Sequence, residues 1–256
     1  MRIVNLSMFK SGTHLIREII WQLTGLEYVE PQIVPGQNNY EDQTKFFFPE
    51  RGYFSWHLFP YEGVTKLFVE KDCVCIYLVR NLFDQSLSIY DHFRLNVDSE
   101  IGRGRNVDHL FENMDLNDGL DAIINGCDWD GFVWRGVAHQ YKHMESIFDS
   151  ALLTNSLVIS YEDLCLDKAL VINKIANHLG VAQPDTSRIV QDTSMVAMRS
   201  KKINKTHFNR GGIGRIFEKK YDYARDLLQI KTKRYKSFEK FEYLTELRAL
   251  NALASE

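Results

Sequence analysis

The chain has 256 residues, of which 45% are hydrophobic and 25% charged, and its formal net charge is −3 at pH 7. This composition is ordinary for a soluble globular protein, and the small net charge gives no reason to expect a nucleic-acid or membrane partner. The sequence shows no apolar run that could span a bilayer, no secretion-signal pattern and no C-x-x-C pair, so we expect a cytoplasmic protein with reduced cysteines.

The first predicted elements are a strand, a short loop and a helix. Residues 3–9 are apolar and partly β-branched, which is typical of a buried strand. Apolar residues recur at helical spacing over residues 14–23. The loop between them consists of Lys10, Ser11, Gly12 and Thr13. This geometry directs backbone N–H groups and a helix N-terminus towards an anion, and the lysine adds a positive charge, so we predict a phosphate cradle.

The loop differs from the Walker A motif of nucleotide-binding proteins. That motif has the order Gly-x-x-x-x-Gly-Lys-Ser/Thr, with the lysine after the second glycine. Here the lysine comes first, and the loop contains one glycine. Taken alone, the tetrapeptide also fits an ordinary strand-to-helix turn with a surface lysine.

Strands and helices alternate along the rest of the chain. Further strands are predicted over residues 52–59, 73–79 and 157–160. Helices are predicted over residues 64–69, 82–96, 120–124, 132–148, 168–179, 187–198 and 219–254. The alternation favours an α/β fold, with a central parallel sheet flanked by helices on both faces, a helical C-terminal tail and a single domain over residues 1–256.

In this order of elements, the sequence resembles the cytosolic-type sulfotransferases that use 3′-phosphoadenosine 5′-phosphosulfate (PAPS). The loop Lys10-Ser-Gly-Thr13 resembles their 5′-phosphosulfate loop, which implies that Lys10, Ser11, Gly12 and Thr13 bind the cofactor. The segment Trp56-His-Leu-Phe-Pro60 looks like the family's His-Leu-Pro segment, whose histidine is the general base; this assigns that role to His57. His14 could donate to the cofactor or cap the turn, and both readings stay open.

Three more segments carry the resemblance. Val79-Arg-Asn-Leu-Phe-Asp-Gln-Ser-Leu-Ser-Ile-Tyr90 is similar to the family's 3′-phosphate segment, which implies that Arg80 and Ser88 hold that phosphate. Tyr161 follows the pattern of the tyrosine near the adenine, and Thr193 and Met195 resemble the adenine clamp. The segment Phe208-Asn-Arg-Gly-Gly-Ile-Gly214 resembles the loop that closes over the 3′-phosphate, with Asn209, Arg210 and Gly211 as its contributors.

The resemblance implies a P-loop NTPase-like fold and a PAPS-dependent sulfotransferase. Such an enzyme moves a sulfuryl group to a hydroxyl or amine of an acceptor and releases 3′-phosphoadenosine 5′-phosphate (PAP), with no metal. His57 would be the base, Lys10 would stabilise the leaving phosphate, and Ser88 would complete the catalytic set. We expect the acceptor to be a polar small molecule or natural product, and the protein to be a monomer or homodimer. Trp129, Trp134 and Tyr141 either line the acceptor pocket or belong to the core.

The sequence also departs from the family pattern. Phe9 replaces a proline, Leu15 replaces an aromatic residue that stacks on adenine, Asn209 stands where an arginine is common, and Ile216 lies in an altered closing segment. These departures keep open a catalytically silent nucleotide-binding homologue. A P-loop-type small-molecule kinase is the other alternative.

Overall fold

The computed structural model describes residues 1–26, 28–29, 52–56, 60, 62–94, 110–111, 113–129, 132–154, 156–200 and 213–233. The strands are β1 (Arg2–Ser7), β2 (Tyr28–Val29), β3 (Gly52–Trp56), β4 (Cys73–Val79), β5 (Cys127–Trp129), β6 (Phe132–Trp134) and β7 (Leu157–Ser160). The first five helices are α1 (Thr13–Thr24), α2 (Glu62–Glu70), α3 (Leu82–Arg94), α4 (Leu116–Asn125) and α5 (Gly136–Thr154). The later ones are α6 (Tyr161–Leu166), α7 (Lys168–Leu179), α8 (Thr186–Asp192), α9 (Met195–Ser200) and α10 (Asp222–Thr232), with 3-10 turns at Arg215–Phe217 and Lys219–Tyr221.

The chain forms two compact units, each assembled from two stretches of sequence. Unit 1 comprises Met1–Val79 and His143–Thr193, and unit 2 comprises Arg80–Lys142 and Ser194–Glu256. The prediction of a single domain stays a prediction.

Unit 1 contains a five-stranded parallel sheet in the order β2-β3-β1-β4-β7, flanked by helices. This confirms the predicted α/β architecture. In the register, Leu6 pairs with both Trp56 and Tyr77, and Val79 pairs with Ser160. Because all the strands run in the same direction, the carboxyl ends of β1, β3, β4 and β7 lie at one edge of the sheet. In open α/β sheets, ligands bind at that edge.

The core of unit 1 follows from the apolar pattern of β1, β4 and α1. The α1 residues Ile16, Ile19 and Ile20 are fully buried, as their helical spacing predicts. The last five residues of β4 are buried, which explains why its sequence is continuously apolar rather than alternating. Each such aliphatic side chain contributes about 1.5–3 kcal/mol on burial.

Unit 2 is organised around α3, which packs against α4 and the 3-10 turn Arg215–Phe217. Beside it, the rings of Phe93, Phe111, Trp129 and Trp134 form a chain of aromatic contacts with centroids 5.3–5.6 Å apart. Trp134 also donates its indole N–H to the carbonyl of Ile123. Trp129 and Trp134 are half-buried and pack within this cluster, whereas Tyr141 is fully buried.

Two predicted helices differ from the structure. Residues 132–134 form β6, which pairs with β5 in an antiparallel hairpin, so the helix predicted over residues 132–148 begins only at Gly136 and continues to Thr154. The helix predicted over residues 187–198 is interrupted: α8 ends at Asp192 and α9 begins at Met195. The predicted C-terminal helix is present as α10, and residues 234–256 lie outside the described part of the chain.

Candidate functional site

The loop between β1 and α1 is a tight turn fixed to the sheet. The Met8 N–H donates to the Leu78 carbonyl of β4, at 3.1 Å, and the Ser11 N–H donates to the Met8 carbonyl, at 3.2 Å. Lys10 and Gly12 adopt the left-handed conformation, with φ angles of 61° and 99°. The left-handed conformation is strained for lysine but not for glycine. The surrounding structure therefore holds the backbone at Lys10 in this conformation.

The N-terminus of α1 is suited to hold an anion. Its N-cap is Gly12, and no described side chain caps it. Six other described helices carry a side-chain cap: Asn81 on α3, Asp115 on α4, Ser160 on α6, Asp167 on α7, Asp185 on α8 and Ser194 on α9. The first N–H groups of a helix have no acceptor within the helix, and the helix dipole places positive potential there. The α1 terminus therefore offers donors and positive potential to a phosphate-like group.

The hydroxyls of the loop serve its own structure. The Ser11 hydroxyl donates to the Met8 carbonyl at 2.5 Å, and the Ser7 and Thr13 hydroxyls share a hydrogen bond of 2.7 Å. All three side chains are buried. The Ser11 N–H also donates to the Met8 carbonyl, so Ser11 holds the shape of the loop, whereas Thr13 can present its backbone to a ligand. Lys10 and His14 are half-buried.

Tyr161 lies directly against this loop. A Cβ atom on Gly12 would be 2.8 Å from Cδ2 and 3.1 Å from Cε2 of the Tyr161 ring. The Ser160 hydroxyl accepts from the Asp163 N–H and thereby fixes the start of α6, where Tyr161 stands. Within unit 1 the structure therefore brings together two predicted site segments, the Lys10–Thr13 loop and the segment that contains Tyr161.

We expect Gly12→Ala to lower the free energy of unfolding by about 2–4 kcal/mol, because it combines left-handed strain with a clash against Tyr161. Gly25→Ala is the matched control. Gly25 also has a positive φ, 64°, but a Cβ there would meet nothing within 4 Å. Urea unfolding measures both variants, and equal losses in the two would show that the contact with Tyr161 is unimportant.

In unit 2, Arg80 and Ser88 come from the end of β4 and from α3. The Arg80 side chain is only 6% exposed. Asn81 caps α3: its side-chain oxygen accepts from the Phe83 N–H at 2.8 Å. Ser88, two helical turns further on, is half-buried. A buried guanidinium interacts more strongly with an anion than an exposed one does, because water screens it less.

Asp84 has a role that its sequence position does not reveal. It lies in the first turn of α3, and its buried carboxylate accepts from the N–H groups of Gly214, at 2.5 Å, and Ile216, at 3.2 Å. Arg215, between them, forms an ion pair of 2.9 Å with Asp91, also on α3. Burial alone would lower the pKa of Arg215, but the charge and hydrogen bond of Asp91, together with Tyr221, raise it. The segment that follows the predicted closing loop is thus fixed to the helix that follows Arg80.

The predicted adenine residues Thr193 and Met195 fall in different units. The Thr193 hydroxyl donates to the Ile189 carbonyl at 2.6 Å, and its own carbonyl accepts from the Lys168 ammonium at 2.7 Å. Burial lowers the pKa of Lys168. Met195 is the first residue of α9 and is half-buried. The side chain of Thr193 is 1% exposed, so any contact with a ligand would involve little of its surface.

Several predicted site residues lie outside the described part of the chain: His57, Asn209, Arg210 and Gly211. Among the described residues, no three His, Cys, Asp or Glu side chains are grouped as metal ligands. No helix in the described ranges has the length and hydropathy needed to cross a membrane.

Comparison with known proteins gives one family match. The model of the sulfotransferase domain matches residues 2–224. A search of curated proteins finds no significant match.

Solved structures give fold matches. The chain is similar to mouse sulfotransferase SULT7A1 complexed with PAP, with 22% identity, a TM-score of 0.66, and coverage of 94% of this chain and 88% of that one. It is also similar to retinol dehydratase in complex with androsterone and inactive cofactor PAP, with 15% identity, a TM-score of 0.57, and coverage of 95% and 80%. A second retinol dehydratase structure, with retinol and PAP, gives 17% identity, a TM-score of 0.55, and coverage of 93% and 80%. At these identities the structures support the fold.

Proposed function

The chain belongs to the sulfotransferase domain family, and on that premise we propose that it transfers a sulfuryl group from PAPS to a hydroxyl or amine of a small polar acceptor. The observation that carries the proposal is the uncapped N-terminus of α1, which follows a strained loop containing Lys10 and Gly12.

We propose that each charged end of the cofactor meets residues of one of the two units. The 5′ end would meet the N–H donors of the α1 terminus and the Lys10 ammonium, while buried Arg80 and half-buried Ser88 supply donors for the 3′-phosphate. When bound, PAPS supplies a sulfuryl group attached to a phosphate leaving group. Arg210 joins Arg80 and Ser88 in this proposal, with Asn209 and Gly211 in the same closing segment. Asp84 supports that segment by holding Gly214 and Ile216.

We assign the chemical roles as follows. His57 accepts the proton of the acceptor, a role that imidazole performs well near neutral pH. Lys10 places its positive charge where negative charge develops on the bridging oxygen. Gly12, Thr13 and His14 contribute backbone donors around it, and Ser11, whose N–H donates to the Met8 carbonyl, holds the shape of the loop. The sulfuryl group carries less charge than a γ-phosphate, so we propose no metal in this reaction.

Fewer observations support the proposed adenine contacts than the proposed phosphate contacts. We propose that Tyr161, which lies beside the loop, contacts the adenine together with Thr193 and Met195. Leu15, which stands where the family has an aromatic residue, is nearly buried in α1. This observation keeps a silent nucleotide-binding homologue as the second candidate function.

The proposed acceptor is a small molecule. Retinol dehydratase was crystallised with androsterone and with retinol. For this chain we propose a polar small molecule or natural product as acceptor. The cytoplasmic location and the monomeric or homodimeric state remain predictions.

A turnover assay tests the proposed function. The protein is incubated with PAPS and a panel of small alcohols, phenols and amines, and PAP release is measured with and without excess EDTA. We expect acceptor-dependent PAP release that EDTA does not reduce. Phosphorylation of the same acceptors by ATP and Mg²⁺ would identify a kinase instead. PAP binding without turnover on any acceptor would favour the silent homologue.

A further inference from the structure

One face of α3 places two carboxylates next to Ser88. Asp84, Ser88 and Asp91 are spaced four and three residues apart, and side chains at this spacing stand on the same face of a helix. Ser88 thus has a carboxylate one helical turn before it and another one turn after it. We call these three side chains, Asp84, Ser88 and Asp91, the α3 stripe. Two negative charges beside Ser88 repel an anion unless other groups balance them.

The segment from Gly214 to Ile216 meets both carboxylates of the α3 stripe. The Asp84 carboxylate accepts from the N–H groups of Gly214, at 2.5 Å, and Ile216, at 3.2 Å. The Arg215 guanidinium forms an ion pair of 2.9 Å with Asp91. The Asp84 carboxylate is therefore satisfied by backbone N–H donors, whereas the charge of Asp91 is cancelled by a full positive charge. All of these residues belong to unit 2.

The ion pair of Arg215 and Asp91 is shielded from water. The two side chains are 18% and 19% exposed, so the solvent screens their charges less than it screens charges at the surface. Arg215 also donates to the Tyr221 hydroxyl at 3.3 Å, which helps to hold the guanidinium in place. Arg94, in the last turn of α3, is exposed, so water weakens its effect on Asp91. Loss of the Arg215 charge would therefore leave Asp91 poorly balanced.

We infer that Arg215 sets the affinity of unit 2 for the 3′-phosphate by cancelling the charge of Asp91 next to Ser88. The inference rests on the proposed function, which places that phosphate at Arg80 and Ser88. A phosphate group carries about two negative charges at neutral pH, so an unbalanced Asp91 one helical turn from Ser88 repels it strongly. The closing segment identified from the sequence ends at Gly214 and assigns no role to Arg215.

Calorimetric titration with PAP and 5′-AMP tests the inference on Arg215→Met, Asp91→Asn and the variant with both changes. We expect Arg215→Met to weaken PAP binding about 10- to 100-fold, because the charge of Asp91 is then unbalanced. Asp91→Asn should tighten PAP binding about two- to tenfold, because Arg215 keeps its positive charge. The double variant should bind PAP within about threefold of the wild type. Binding of 5′-AMP, which has no 3′-phosphate, should change less than about twofold in all three.

Arg225→Met is the matched control. Arg225 pairs with Asp222 at 2.6 Å and donates to the Ile216 carbonyl at 3.5 Å, so its loss disturbs the same segment without changing the charge beside the α3 stripe. We expect the PAP affinity of this variant to stay within about twofold of the wild type. Equal losses in Arg225→Met and Arg215→Met would overturn the inference, because the packing of the segment would then explain both.

The direction of the Asp91→Asn effect separates charge from anchoring. An ion pair that only holds the segment against α3 predicts weaker PAP binding in Asp91→Asn as well as in Arg215→Met, and that result would overturn the inference while leaving the proposed function in place. Asp91→Asn preserves the size of the side chain, so it decides the question even if thermal unfolding shows that Arg215→Met does not fold. A wild-type protein without a preference for PAP over 5′-AMP would overturn the proposed function and the inference together.

Discussion

Replacing His57 with alanine is expected to lower kcat about 100- to 10,000-fold while leaving the affinity for PAP nearly unchanged. The acceptor hydroxyl or amine must lose a proton as it attacks, and without a positioned base that proton has to go to water. Nucleotide binding depends on other groups, the α1 terminus and Arg80, so it should survive the substitution. Initial rates with PAPS and calorimetric titration with PAP measure the two quantities separately.

The pH dependence gives the same prediction a second readout. Imidazole acts as a base only when neutral, and an ordinary histidine has a pKa of about 6.5, so wild-type kcat should rise as the pH increases through that region. This rise should disappear in His57→Ala. His178→Ala is the control, because His178 shares a hydrogen bond of 3.0 Å with the Cys75 carbonyl and has no proposed catalytic role. Full activity with an unchanged pH profile in His57→Ala would assign the base to another residue.

Replacing Arg80 with methionine is expected to weaken PAP binding about 100-fold or more, and to leave the weaker binding of 5′-AMP almost unaltered. Arg80 is 6% exposed, and a charge-assisted hydrogen bond in such a place is stronger than one at the surface. Only nucleotides with a 3′-phosphate should lose affinity. The ratio of the two dissociation constants therefore isolates the contribution of Arg80 to recognition of that phosphate.

Two further variants make the Arg80 experiment decisive. Arg80→Lys keeps the charge but loses the planar pair of donors, so its PAP affinity should fall between those of the wild type and Arg80→Met. Arg188→Met removes an exposed arginine that pairs with Asp192 at 3.6 Å, and it should change neither affinity. Thermal unfolding shows whether Arg80→Met remains folded. A folded Arg80→Met that retains the wild-type preference for PAP over 5′-AMP would place the 3′-phosphate elsewhere.

The sequence predicted best those segments whose local pattern of apolar residues matches the way the segment packs in the fold. The strand predicted over residues 73–79 has the observed bounds, since a continuous apolar run is what a central parallel strand requires. The helix predicted over residues 14–23 becomes α1 with one more residue at each end. The Lys-Ser-Gly-Thr loop lies between β1 and α1, as the sequence predicted, and its role as a phosphate cradle stays a prediction.

Predictions failed where two local patterns competed. Phe132, Val133 and Trp134 continue the apolar spacing of α5, yet they form a strand because Gly126 and Gly136 bring two backbone segments close together. A pair of glycines bracketing a β-branched and aromatic run was the signal for a hairpin.

The break between α8 and α9 also had a local signal. The Thr193 hydroxyl bonds back to Ile189, and the Ser194 hydroxyl accepts from the Ala197 N–H to start the next helix. Threonine and serine side chains compete for backbone groups in this way, so the pair marks a helix boundary.

Non-local contacts of the site had no signal in the sequence. Asp84 and Gly214 are 130 positions apart. Nothing in the residues around Asp84 specifies that its carboxylate will hold the segment after the closing loop. Likewise, the packing of Tyr161 on Gly12 depends on the alignment of β1 with β4 and β7, which the register fixes and local pattern does not.

The central claim is that the protein binds a 3′-phosphorylated adenosine nucleotide in preference to other adenine nucleotides. Calorimetric titration of the wild-type protein with PAP, 5′-AMP and ADP, each with and without Mg²⁺, tests it most directly. We predict that PAP binds without Mg²⁺ and at least about 100-fold more tightly than 5′-AMP or ADP. Preferential binding of ADP with Mg²⁺, or no binding of PAP, would contradict the claim.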